Sequence, residues 1–298
     1  MTKERGRIIS CGIFGLLILI GTIIPARTEF TGASSPSLNR SQAHDEEDAL
    51  IEGLSCMKSF LEFQLPAAEK SCGETITLLP DNPLGYELRG FTYLLERRFE
   101  RAEMDLREAV RLAPADPDNQ AGYAQSLSGQ GRFTEAIERF GIALRLSPRD
   151  VRYLSARCWA RAGEGRNLDA ALQDCNRALK LAPNNAVAFD SRALVHLRAG
   201  RNRLAARDYT SSLQWQSGRA TALFGRGIAE FRLGKLAQAG KDLALARKAD
   251  PEIDDIYILV GILEAGCHDN GGPCGLPDAF RLRPKSTSKY LSVSYRTH

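Results

Sequence analysis

Residues 83–114 read PLGYELRGFTYLLERRFERAEMDLREAVRLAP, and their recurrence at a spacing of 34 decides the fold. Adding 34 to Ala102, Ala109 and Pro114 lands on Ala136, Ala143 and Pro148, and Gly90 is answered by another small residue, Ala124. A fixed period of this length marks stacked supersecondary units, each too small to bury its own apolar face. The small residues Gly90 and Ala102 predict two helices in close approach, with Tyr86, Tyr93 and Leu106 filling the space around the contact. Pro114 and Pro148 close each unit, because proline has no N–H to donate and clashes inside a helix.

The register extends in both directions. Counting back from Pro80 gives a degenerate unit at 49–80, with Cys56, Ala68 and Cys72 at the places of Gly90, Ala102 and Leu106. Worn letters suit a terminal repeat whose outer face meets water. Forward, units are expected at 117–148, 151–183, 186–217 and 220–251; the third full unit is one residue longer, in the turn between Gly163 and Asn167, and Ser217 replaces a closing proline. A capping helix is expected at about 253–263, which gives a repeat array over 48–265. The pattern resembles the tetratricopeptide repeat, a helix-turn-helix unit, over roughly residues 49–251. That resemblance implies an all-α, right-handed superhelical solenoid, with the first helix of each unit lining the concave face.

The two ends differ from the middle. Lys3, Arg5 and Arg7 precede an uncharged apolar run from Ile8 to Ile24, followed by Pro25, Ala26 and Arg27. This order reads as an export signal over 1–27, either cleaved after Ala26 or Ala33 or kept as an N-terminal membrane anchor with the basic residues in the cytoplasm. Residues 28–47, rich in Ser and Thr with little apolar content, are expected to be a flexible linker. Residues 266–298 are expected to form a cysteine loop and a largely disordered basic tail. Residues 1–27 carry a net charge of +3 and 275–298 carry +4, which leaves the rest mildly acidic in a chain of net +4. An acidic array has no electrostatic footprint for nucleic acid.

Helical geometry places positions 2, 5, 9 and 12 of each first helix on one stripe. In the first full unit the stripe holds Glu87, Phe91 and Leu94; further along it holds Arg152 and Trp159, then Leu194, then Phe224, Ile228 and Phe231. On the concave face that the resemblance implies, these side chains favour an apolar or amphipathic peptide, with Arg152, Arg198 and Arg232 available for acidic groups. The alternative is that they pack on adjacent helices. The family's carboxylate clamp, which uses Lys, Asn and Arg on this face, is not expected here, since Glu87 and Phe91 stand at its positions.

Arg89, Arg157, Arg192 and Arg226 recur one residue before the small position, while Asp105, Asp174, Asp208 and Asp242 recur on the second helix. In the second full unit both change together, to Tyr123 and Arg139, which argues for contact. Cysteine keeps to the register too: Cys56 and Cys72 occupy the eighth and twenty-fourth places of the degenerate unit, as Cys158 and Cys175 do in their own once its one extra turn residue is discounted. Those places face each other across the close helix contact, so disulfides are expected between 56 and 72 and between 158 and 175, with Cys267 and Cys274 left to pair with each other.

No catalytic motif is present. His196 sits at a packing position, and Cys267, His268 and Cys274 lack a fourth ligand, so neither a metal nor a cofactor is expected. The expected protein is not an enzyme. It is an exported scaffold, periplasmic or anchored in the inner membrane with its array outside the cytoplasm, that docks an envelope protein or peptide. It would touch the membrane through its N-terminal segment if that is retained, and no nucleic acid. The rival readings are a thiol-disulfide function at the C-terminal cysteine loop and an RNA-binding helical-repeat protein.

Overall fold

Asn82, Asp116, Asp150 and Asn185 each stand immediately before a helix, and each side chain accepts a hydrogen bond from a backbone N–H of that helix's first turn. Such caps satisfy donors that have no partner within the helix. They set where the first helix of each unit begins. In the computed structural model residues 40–263 are described, with side chains from Asp48 onward. The chain divides into two compact units, Met1–Asp45 and Glu46–His298. Of the first, only the start of one helix is among the described residues, and the architecture below belongs to the second.

Thirteen helices and no strand occur among the described residues. They pair as α1 (Arg40–Leu61) with α2 (Leu65–Leu78), α3 (Pro83–Leu95) with α4 (Phe99–Leu112), α5 (Pro117–Gly129) with α6 (Phe133–Leu146), and α7 (Val151–Glu164) with α8 (Leu168–Leu181). Two more pairs, α9 (Ala186–Arg198) with α10 (Asn202–Trp215) and α11 (Ala220–Arg232) with α12 (Leu236–Ala249), precede the short α13 (Ile253–Leu259). Each second helix packs on the first helix of the next pair, which makes a right-handed solenoid. The residues singled out by period are the core: Ala102, Ala136, Ala171, Ala205 and Ala239 are all fully buried, as are Ala124, Cys158 and Ala193 at the other small place.

Two boundaries differ from expectation. Helix α1 begins at Arg40, inside the stretch 28–47 expected as a linker; from there on the chain has no Pro or Gly until Gly53, so nothing interrupts the helix. Helix α13 ends at Leu259, four residues earlier than the capping helix expected to 263, because Gly261 takes a left-handed φ of 66° just past its C-cap. The export segment 1–27 and the segment 266–298 lie outside the described residues. Among the described residues no helix is long and apolar enough to cross a membrane.

The turn inside each pair needs one left-handed residue. Gly131, Gly165, Gly200 and Gly234 supply it with φ between 70° and 80°, but the same place in the first full unit is Arg97, at φ 56°. A side chain in that conformation costs roughly 1–2 kcal/mol, which glycine does not incur.

Candidate functional site

The interhelical pairs repeat with nearly constant geometry. Arg89 donates to both carboxylate oxygens of Asp105 at 2.7 and 2.8 Å, Arg157 to Asp174 at 2.8 and 2.6 Å, Arg192 to Asp208 at 2.7 and 2.9 Å, and Arg226 to Asp242 at 2.6 and 2.9 Å. These bidentate forks use the arginines structurally and hold the two helices of a unit in register. His196 is part of the same packing, with Nε2 3.7 Å from Asp208 and its pKa lowered chiefly by burial.

The cysteines obey the same register. At the eighth and twenty-fourth places of another unit, a Cβ added to Gly90 would stand 2.6 Å from Leu106 Cγ, so these two places touch wherever they recur. The sulfurs of Cys56 and Cys72, and of Cys158 and Cys175, accordingly lie 2.01 Å apart, with Cα separations of 4.7 and 5.6 Å. Both separations suit a disulfide. The Cys267–Cys274 pair and the zinc-like trio with His268 lie outside the described residues. No described cluster of His, Cys, Asp and Glu is placed to hold a metal ion.

The stripe expected to meet a partner is not uniformly open. Phe91, Leu94, Trp159 and Phe231 are partly buried, and Trp159 meets Phe133 edge to face with ring centroids 5.8 Å apart. Leu194, Phe224 and Ile228 are buried outright. Phe224 is 1 % exposed because Tyr257 of α13 covers it, with ring centroids 4.8 Å apart. Nor do the arginines await acidic side chains. Arg152 is engaged by Asp150 and Asp118, Arg198 donates to the carbonyl of Val260, and Arg232 donates to the carbonyl oxygens of Leu197 at 3.2 Å and Ile262 at 3.5 Å. The last two hold the end of α13, where carbonyls lack helical partners and carry partial negative charge.

Glu87, also on the stripe, is 9 % exposed, and its carboxyl is pushed up to about 8 by burial first and then by the carboxylates of Asp116 and Asp118.

What the periodicity could not reveal is that the end of the array reaches back to its first full unit. Arg97 donates to Asp250, and to Glu252 at 3.2 Å, across more than 150 residues of chain. Between them lies a cavity of about 140 Å³ lined by Arg97, Phe99, Gly129 and Trp159 on one side and by Glu252, Asp255, Ile256 and Leu259 on the other. The C-terminal segment of the array therefore crosses the groove. One signal for this is visible in the sequence: among the five full units, only Arg97 replaces the glycine of the inner turn.

Two models described as tetratricopeptide repeat match this chain, one over residues 123–186 and 191–252 and the other over 85–116, together just over half of its length. Among curated proteins it is 27 % identical over 178 residues to human (Homo sapiens) tetratricopeptide repeat protein 6, covering 59 % of this chain and 34 % of that one. It is 31 % identical over 102 residues to a FAM10 family protein of Arabidopsis thaliana, covering 34 % and 23 %. The chain thus spans about a third or less of the length of these relatives. Among solved structures, PilW, a type IV pilus biogenesis factor, superposes with a TM-score of 0.58 at 19 % identity over 70 % of this chain and 98 % of its own. Pseudomonas aeruginosa pilF does so with 0.53 at 14 % identity over 72 % and 98 %. At these identities the likeness is one of fold.

Proposed function

Because the chain belongs to the tetratricopeptide repeat family, we propose that it is a non-catalytic protein–protein interaction scaffold of the cell envelope that docks a protein or peptide on its concave face. The observation that carries this reading is the groove itself. Trp159 and Phe99 line an apolar cavity there, and the groove already accommodates one short helix, α13. Aromatic side chains at a concave wall are typical anchors for a partner.

An exported array, released or anchored through residues 1–27, is supported by two cysteine pairs at bonding distance, which an oxidising compartment would close. The thiol-exchange and RNA-binding readings draw no support from the described residues. The acidic middle of the chain speaks against a polyanion partner.

Affinity capture from an envelope fraction, with the wild type and Trp159→Ala side by side, tests the docking reading. A protein retained by the wild type and lost by the variant is the expected result. Identical retention by both would place the partner elsewhere on the surface. Phe224→Ala is unsuited as a second variant, since removing a buried aromatic side chain costs about 3–5 kcal/mol of stability.

A further inference from the structure

Helix α13 has two faces with different neighbours. Ile253, Tyr257 and Val260 are buried, and Tyr257 packs at a tilt against Phe224 and donates to the carbonyl of Thr221 at 2.6 Å. The spacing of these residues, four and three, puts them on one side of the helix, where they cap the last pair. Glu252, Ile256 and Leu259 repeat the same spacing on another side and face the wall formed by Arg97, Phe99, Gly129 and Trp159. A cap needs only the first face. The second is arranged as a bound peptide would be, with an acidic lead at Asp250 and Glu252 held by Arg97 and aliphatic residues against the aromatic wall.

The two sides are also packed differently. The cap side is closed, whereas the groove side leaves the cavity of about 140 Å³ between Ile256, Leu259 and the aromatic pair. That space is apolar-lined and open to solvent, so a better-fitting occupant would bury more of the apolar surface of Phe99, Trp159, Ile256 and Leu259. Arg97 adds the ionic half of the contact, although a left-handed non-glycine residue is not unique to it, since Phe63 holds the same place in the α1–α2 turn. The left-handed backbone of Arg97 is retained where the other full units use glycine, and its side chain makes the ionic tie to the segment.

We propose that residues 250–263 are a built-in occupant of the groove, and that the partner docking there is a short acidic, aliphatic helix of the same chemistry, which binds by displacing Ile256 and Leu259 from the aromatic wall. This rests on the docking reading above and gives it a ligand class. The partner carries carboxylates toward Arg97 and two aliphatic residues one helical turn apart toward Phe99 and Trp159. Binding is gated, because the partner must first remove the resident segment.

The probe is a fluorescein-labelled synthetic peptide of residues 250–263, titrated by anisotropy into the full-length protein and into full-length Ile256→Asp/Leu259→Asp, whose cap-side residues are untouched. If the groove is occupied in nine molecules of ten, the apparent affinity of the wild type falls about tenfold below that of the dislodged variant. The expected result is that difference or more, with a peptide carrying Asp250→Lys and Glu252→Lys bound weakly by both. A second measurement needs no variant. Saturating peptide should speed hydrogen exchange of the α13 amides in the wild type.

Any of these results would overturn the proposal: no binding to a folded dislodged variant together with unchanged exchange in the wild type, equal binding by the two proteins, or equal binding of the charge-reversed peptide. Wild-type dimers that exchange the segment, seen by light scattering, would also overturn it in favour of a second copy as the occupant. None of these outcomes alters the envelope capture and its loss in Trp159→Ala, so a failure here is separable from a failure of the docking reading.

Discussion

The guanidinium of Arg139 lies 4.8 Å from the ring centroid of Tyr123, at the two places that hold Arg and Asp in every other full unit. One unit has thus exchanged an ion pair for a cation–π contact while keeping the positions in touch. Arg139→Asp alone should lower the unfolding midpoint by the equivalent of about 1 kcal/mol, since it sets a carboxylate on the face of a ring. Adding Tyr123→Arg rebuilds the fork of the neighbouring units and should recover most of that loss. A double variant less stable than the single one would show that this unit is shaped differently from the rest.

For the ion pairs themselves, Arg226 and Asp242 are the clearest test, with side-chain exposures of 18 % and 2 %. Arg226→Leu strands a buried carboxylate and is expected to cost about 3 kcal/mol in a urea titration, more than Arg226→Leu combined with Asp242→Leu. Strictly additive losses in the double-mutant cycle would mean the two residues do not interact.

Glu87 predicts a pH dependence. With its carboxyl pushed up to about 8, against an ordinary value of 4.5, the folded chain holds a proton that the unfolded chain has released. The stability this group contributes is complete below 4.5 and drains away as pH rises through 8. Glu87→Gln should therefore leave stability near pH 4 little changed and raise it near pH 9 by about 1–3 kcal/mol. The same difference between variant and wild type at both pH values would remove Glu87 as the cause.

Peptide mapping of exported protein without reductant should recover 56 joined to 72 and 158 joined to 175, as their sulfurs are placed. Each bridge closes a loop of 16 or 17 residues, so reduction should cost about 3 kcal/mol per bond by the loop-entropy account. Free thiols at Cys56 or Cys158 in material made outside the cytoplasm would contradict both the pairing and the proposed compartment.

How much of this is written in the chain depends on the range of the contact. The small residues Gly90 and Ala102, the prolines and the Arg–Asp spacing all report on neighbours within one unit or the next, and there the 34-residue register is a sufficient guide. The N-caps Asn82, Asp116, Asp150 and Asn185 recur with nearly the same period and are equally local. The groove is only half legible. Period places Trp159 and Phe224 on the same stripe, but it cannot tell that Tyr257 covers one of them, because that depends on how the whole array curves. Arg198 and Arg232 look like anchors for acids when only their spacing is known, and a helix end offers them its carbonyls instead.

The tie between Arg97 and Asp250 also changes the order in which this chain can assemble. An array that touches only its neighbours can begin folding anywhere and lose its end units one at a time. Bringing these two residues together across an unfolded chain of 153 residues carries an entropic barrier of about 4 kcal/mol. Once the pairs between them have stacked, the ends are already held close and most of that barrier is gone. The clasp is therefore expected to form late, and the first full unit and the last, which it joins, are expected to open together, while the α1–α2 pair lies outside it and can fray by itself.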